Sequence, residues 1–176
     1  MGNRKKRTDP FERVDGYRHG ISFSRLTEMQ AETKIYQKLD PESKDVLSVC
    51  KLCRKYHVGY NTEAGLKSIE GNLLWFYFNR ALQVKYGFMN PNKVRKALIE
   101  LVLTGFIEVV EDNANTRRKN IYKFSDKWQD VEKGKELKLS QVDKTFIQGK
   151  STEPIESILA VYRNRYKHLY IETDTR

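Results

Sequence analysis

A chain of 176 residues is long enough for one domain with a real core and some extra segments, but hardly for two large domains. Thirty-three Lys and Arg against 23 Asp and Glu give a formal net charge of +10, which favours an anionic partner. Cys50 and Cys53 are the only cysteines, too few for a disulfide framework, and the longest apolar run, Leu73 to Phe78, is far short of a membrane span of about 20 residues.

The opening MGNRKKRTDPFERVDG has no apolar core of the kind a signal peptide needs, and Asn3-Arg4-Lys5-Lys6 does not continue Met1-Gly2 into a myristoylation signal. The expected compartment is therefore a reducing cytoplasm. Charge is unevenly placed. Residues 1–25 carry 7 basic and 3 acidic side chains and residues 79–125 carry 9 and 4, whereas 26–78 carry 7 and 7 and 126–176 carry 10 and 9. An even spread is the ordinary pattern of a basic soluble protein; the excess here sits in an N-terminal arm and in one central stretch.

In chain order, residues 1–20 read as a flexible basic arm in which Arg4, Lys5, Lys6 and Arg7 either follow phosphates or a minor groove, or simply aid solubility. Ile21 to Leu39 mixes apolar and polar residues, with Phe23, Leu26, Met29, Tyr36 and Leu39 expected on the core and a helix expected within Leu26–Gln37. Asp40-Pro41 opens the first clear helix, PESKDVLSVCKLCRKY, with Asp40 as its cap and Pro41 at its first position. Val46, Val49, Cys50 and Cys53 share one face, with Leu47 and Leu52 beside it. Cys50-x-x-Cys53 followed by His57 has metal-ligand character, but zinc needs four ligands and only His19 and His168 remain, so small core residues are the expected role. His57 to Gly71 reads as an irregular connection broken by Gly59, Gly65 and Gly71. Leu73 to Phe78 (LLWFYF) reads as a short strand, its aromatics expected in the sheet or core rather than as a base-stacking platform.

From Asn79 to Trp128 the pattern becomes specific. NRALQVKY has helix-forming composition, Gly87-Phe88-Met89 interrupts it, and NPNKVRKALIELVLTG predicts a second helix with Asn90 as N-cap, Pro91 at its first position and Gly105 just past its end. Val94, Ala97, Leu98 and Leu101 form its apolar stripe. The period then changes to that of strands in FIEVVE and IYKFS, joined by the polar loop DNANTRRKN, which predicts a hairpin with Arg117, Arg118 and Lys119 near its tip. This order resembles a winged helix–turn–helix domain, the hairpin being the wing. Phrases such as VRKALIELVLTGFIEVVED and NIYKFSDKW are most similar to winged-helix proteins of phages, plasmids and other mobile elements. The resemblance covers roughly Ser22 to Trp128 and is strongest after Asn79.

Beyond Trp128, residues 129–152 read as a charged linker, and Pro154 opens a last helix or tail over 153–176 with Ile155, Ile158, Leu159 and Tyr162 in a stripe, expected to cover the domain or to dimerise. The expected fold is α+β, mainly α: arm 1–20, winged helix–turn–helix 21–128, linker 129–152, C-terminal helix 153–176. No Gly-rich phosphate loop, Gly-x-Ser-x-Gly elbow or His-Glu-x-x-His occurs, and Glu108, Glu111 and Asp112 suit a solvated strand and turn, so neither an enzyme nor a cofactor is expected.

The resemblance implies sequence-specific binding of double-stranded DNA, in replication initiation or in transcriptional control of a mobile element. Major-groove contacts fall to Asn92, Lys93 and Lys96; phosphate contacts to Asn90, Arg95 and Arg80; wing contacts to Arg117, Arg118 and Lys119. Glu100, one turn beyond Lys96, is expected to pair with it. The C-terminal segment would recruit a replication protein or form a homodimer. A protein-interaction module on the same scaffold and an RNA-binding protein are the alternatives.

Overall fold

A computed structural model of the chain describes residues 30–53, 59–62, 65–68, 75–113, 118–149 and 151–166. The arm with Arg4, Lys5, Lys6 and Arg7, the residues Phe23, Leu26 and Met29, and Arg117 lie outside the described residues. The chain divides into two units, Met1–Thr33 and Lys34–Arg176. In the first, residues 30–32 are helical and the Thr33 hydroxyl donates to the Gln30 carbonyl at 2.6 Å.

The second unit begins with α1 (Lys34–Lys38), which buries Ile35 and overlaps the end of the helix expected within Leu26–Gln37. Its Lys34 and Ile35 N–H groups donate to the Glu132 carboxylate at 3.0 and 2.9 Å, which satisfies donors a short helix leaves open. Helix α2 (Pro41–Leu52) starts where Asp40-Pro41 predicts, with Pro41 in the first turn. The cap differs from expectation. Asp40 makes no side-chain cap bond; its carboxylate instead receives the Arg165 guanidinium, with Nη1 donating at 3.0 Å. Val46, Leu47 and Cys50 are buried as the stripe predicts, whereas Leu52 is 68% exposed.

A second correction concerns the segment after α2. Instead of a wholly irregular connection it contains an antiparallel pair, β1 (Gly59–Thr62) and β2 (Gly65–Ser68), with Thr62 opposite Gly65. Strands of four residues that each begin with glycine are too short to display a period of two, which hid them from pattern reading.

Strand β3 (Trp75–Phe76) lies within the LLWFYF run and leads through Asn79 into α3 (Arg80–Lys85) and α4 (Pro91–Leu103). Strands β4 (Ile107–Glu111) and β5 (Ile121–Phe124) form the predicted hairpin. The three make one antiparallel sheet in the order β3-β5-β4, with Trp75 opposite Lys123 and Ile107 opposite Phe124. Phe76 is fully buried, stacked on Tyr122 at 5.3 Å and beside Phe124 at 4.8 Å, and Trp75 is buried too. Packing therefore accounts for those two aromatics.

The largest departure lies in residues 129–152, expected as a linker. Helix α5 (Trp128–Glu132) stacks Trp128 on Phe106, and α6 (Gln141–Gln148) inserts Phe146 and Ile147 into the core. A capping box starts α6: Ser140 Oγ accepts from the Asp143 N–H at 3.0 Å while Asp143 Oδ2 accepts from the Ser140 N–H at 3.0 Å. The other oxygen, Asp143 Oδ1, accepts from Val109 N–H on edge strand β4 at 2.8 Å. Thus α6 covers the sheet edge that would otherwise stand open. Helix α7 (Ile155–Tyr166) follows Pro154 as predicted and packs against α4 and α6, burying Leu159 and Tyr166. The second unit is α+β and mainly helical. Among the described residues no helix is long and apolar enough to cross a membrane.

Candidate nucleic-acid interface

The turn between α3 and α4 is built from local bonds. Asn79 caps α3, its side chain accepting from Leu82 N–H at 3.2 Å, and the helix ends at Gly87 with φ +84°. There Gly87 N–H bonds the Val84 carbonyl at 3.0 Å and Phe88 N–H the Gln83 carbonyl at 2.8 Å, the crossed pair that a left-handed C′ residue allows. Arg80 braces the same turn, donating to the Phe88 and Met89 carbonyls at 3.0 and 2.6 Å. Asn90 then caps α4 as predicted, accepting from Asn92 and Lys93 N–H at 3.0 and 3.3 Å. Val94, Ala97, Leu98 and Leu101 are all buried, which turns Asn92, Lys93 and Lys96 outward; all three are exposed.

Glu100 does not pair with Lys96. It is 2% exposed and accepts from Asp40 N–H at 3.2 Å, from Tyr166 O–H at 2.6 Å and from Ser43 Oγ, with Arg165 at 3.2 Å. A buried carboxylate needs several donors, and the start of α2 and the end of α7 bring them from distant sequence. The Arg165 hydrogen bond and charge hold Asp40 below the usual carboxylate range, against the opposing effect of its partial burial. Burial and the Glu100 contact raise the Tyr166 hydroxyl.

Asn113 links the two ends of the β4–β5 loop. Its N–H donates to Asn120 Oδ1 at 2.7 Å and its side-chain amide to the Lys119 carbonyl at 2.9 Å, closing the neck of the loop. Lys119 Nζ lies 4.2 Å from the centre of the Tyr77 ring, and Arg118 and Lys119 are exposed. Between α3, the first half of α4, β5 and residues 118–120 lies a concavity of about 440 Å³. Arg80, Arg95, Arg118, Lys119, Asn120 and Gln83 contribute to its wall, and among the described residues no Asp or Glu does. Arg95 is half-buried there, donating through Nη2 to the Phe146 carbonyl at 2.8 Å with its guanidinium 5.2 Å from the centre of the Phe146 ring.

Some cations elsewhere are paired with carboxylates, whereas Lys38, Lys44, Lys85, Lys133, Lys138 and Lys144 are not. Arg165 pairs with Asp40 and Glu100, Arg163 with Glu136, Lys135 with Asp130, and Lys123 and Lys127 with Glu108. Burial raises the pKa of Glu108, but hydrogen bonds from Ser125 and Lys127 and the two lysine charges outweigh it and leave that carboxyl lowered. Among the described residues, Arg80, Lys93, Arg95, Lys96 and Lys119 have no such carboxylate partner.

The two cysteines lie apart from this face. Cys50 is buried, its thiol pushed up by burial and by Cys53, while His57 lies outside the described residues. Sequence reading missed Phe146, Gly149 and Tyr77 as neighbours of the basic residues. The Ser140-x-x-Asp143 box ahead of an apolar pair is the signal that exposes α6.

No family model matches the chain, and no match to it was found among curated proteins or among solved structures.

Proposed function

We propose that the second unit is a winged helix–turn–helix and that the protein binds double-stranded DNA, with α4 as the reading helix and the β4–β5 loop as the wing. The element order α2, β3, α3, α4, β4, β5, with the β1–β2 pair inserted between α2 and β3, and the sheet order β3-β5-β4 support the fold reading, as does a tight turn delivering α4 with its outer face exposed. One observation carries the function: Arg80, Arg95 and Lys119 share one concavity whose described wall holds no Asp or Glu, beside Lys93 and Lys96 on the exposed side of α4. Phosphates are the partner such a face lacks.

In this reading Asn92, Lys93 and Lys96 meet base edges. Arg118 and Lys119 meet backbone or minor groove, and Arg80 and Arg95 meet phosphate through the concavity. Asn90 keeps its capping role and offers the helix N-terminus to an anion. The process is replication initiation or transcriptional control of a mobile element in a cytoplasm, as the sequence resemblance implies.

Selection from a random duplex library at near-physiological salt, on wild type and on Lys93→Ala/Lys96→Ala, tests the proposal. One enriched motif that the double variant loses is the expected result. No motif, with weak binding that vanishes as salt rises, would contradict it and favour a protein-interaction module; preference for single-stranded RNA of matched charge would favour an RNA-binding protein.

A further inference from the structure

Arg95 is held more firmly than a charge on a solvated face requires. Its Nη2 donates to the Phe146 carbonyl at the end of α6, its guanidinium lies over the Phe146 ring, and it passes directly over Gly149. Gly149 has φ +53°, and a Cβ there would overlap Nη2 and come within 3.0 Å of Cζ. The side chain is thus fixed in one posture, with the ordering entropy of a long cation already lost. Anchoring α6 explains one of its five N–H donors. It does not explain why Arg80 and Lys119 share the same wall with no described carboxylate, since like charges around a concavity repel unless an anion fills it.

We infer that the concavity is a phosphate-ester site, and that α6 and Gly149 help to build it by presenting Arg95. The inference rests on the DNA reading for the source it favours, a backbone phosphate of the duplex; a free nucleotide would offer the same chemistry. In this arrangement Arg95 and Lys119 donate to non-bridging oxygens and Asn120 supplies a neutral donor. The segment after Trp128 then belongs to the binding face rather than trailing behind it.

The test uses the full chain as wild type, Lys119→Gln, Arg95→Gln and Gly149→Ala, titrated with a duplex of about 30 base pairs between about 50 and 200 mM salt. Each variant is expected to weaken binding by about tenfold, the loss of one charged hydrogen bond. Lys119→Gln and Arg95→Gln also lower the slope of log affinity against log salt by about 1. Gly149→Ala weakens binding with net charge unchanged. If either variant at the α6 end melts early, exposed Lys119→Gln still reads the site. Wild-type affinity and slope in all three variants would overturn the inference and leave DNA binding intact. A second titration with pyrophosphate separates the sources: displacement of duplex from wild type but not from Arg95→Gln means the site also takes free phosphates, and no displacement means it is reserved for the backbone. A wild type that binds pyrophosphate through Arg95 but no duplex would sink the DNA reading alone; one that binds neither sinks both.

Discussion

Around the concavity between α3, α4 and the β4–β5 loop, Arg80, Arg95 and Lys119 lie beside carbonyls or aromatic rings; at α7, Arg163 and Arg165 lie against carboxylates. Arg95 and Arg165 show the contrast best. Each reaches from one helix to another, but Arg165 is matched by Asp40 and Glu100 whereas Arg95 meets the Phe146 carbonyl and ring. A paired cation is already satisfied and serves stability; a cation without a carboxylate keeps its charge available to a partner. The same residue type thus stands in two settings in one fold, beside carboxylates at α7 and beside a carbonyl and a ring at Arg95.

The comparison breaks most visibly at Glu100. Glu100→Ala removes the acceptor shared by Ser43, Tyr166 and the Asp40 N–H and one of the two carboxylates beside Arg165, so a loss of about 3–5 kcal/mol in unfolding free energy is expected by urea titration. DNA affinity per folded molecule should not change. Unaltered stability would show that the α7 cluster is not what secures that helix.

Ser140→Ala sharpens the distinction between α6 as scaffold and α6 as linker. Losing the capping box should cost about 1 kcal/mol, measured by the same titration, and hydrogen exchange at Val109 should quicken because Asp143 is no longer fixed against it. A chain indifferent to this change would restore the linker reading for residues 129–152.

The smallest effect is the pH dependence of the Asp40–Arg165 pair. The folded-state pKa of Asp40 lies below its unfolded value of about 3.9, so its contribution is complete above that value and is lost as pH falls through the folded one. Asp40 is more than half exposed, which limits the effect to under about 1 kcal/mol. The stability gap between wild type and Asp40→Asn should accordingly close in acid, and a gap independent of pH would contradict the assignment.

The helix pair and the hairpin were legible because their signals are local. Asn90-Pro91 and Gly105 bound α4, with Gly105 at φ +76°, and the change of period after it marks β4 and β5. Legibility failed where a residue's partner is far away in sequence. Asp40 looks like a cap until Arg165 arrives, and Glu100 looks like the partner of Lys96 until α7 returns over it. Composition misled in residues 129–152, where dense Lys, Glu and Asp conceal Phe146 and Ile147, two apolar residues being enough to fix an eight-residue helix already capped at its start. The concavity was invisible for the same reason, since its wall joins positions from Phe78 to Phe146.

The most direct measurement is the salt dependence of duplex affinity for two variants that lose equal charge from the two regions, Lys93→Ala/Lys96→Ala and Lys135→Ala/Arg163→Ala. If unneutralised cations form the DNA-binding face, the first pair weakens binding and lowers the slope by up to about 2, while the second leaves both near wild type. Equal losses from both pairs would mean that only net charge attracts DNA, and the claim of a dedicated binding face would fail.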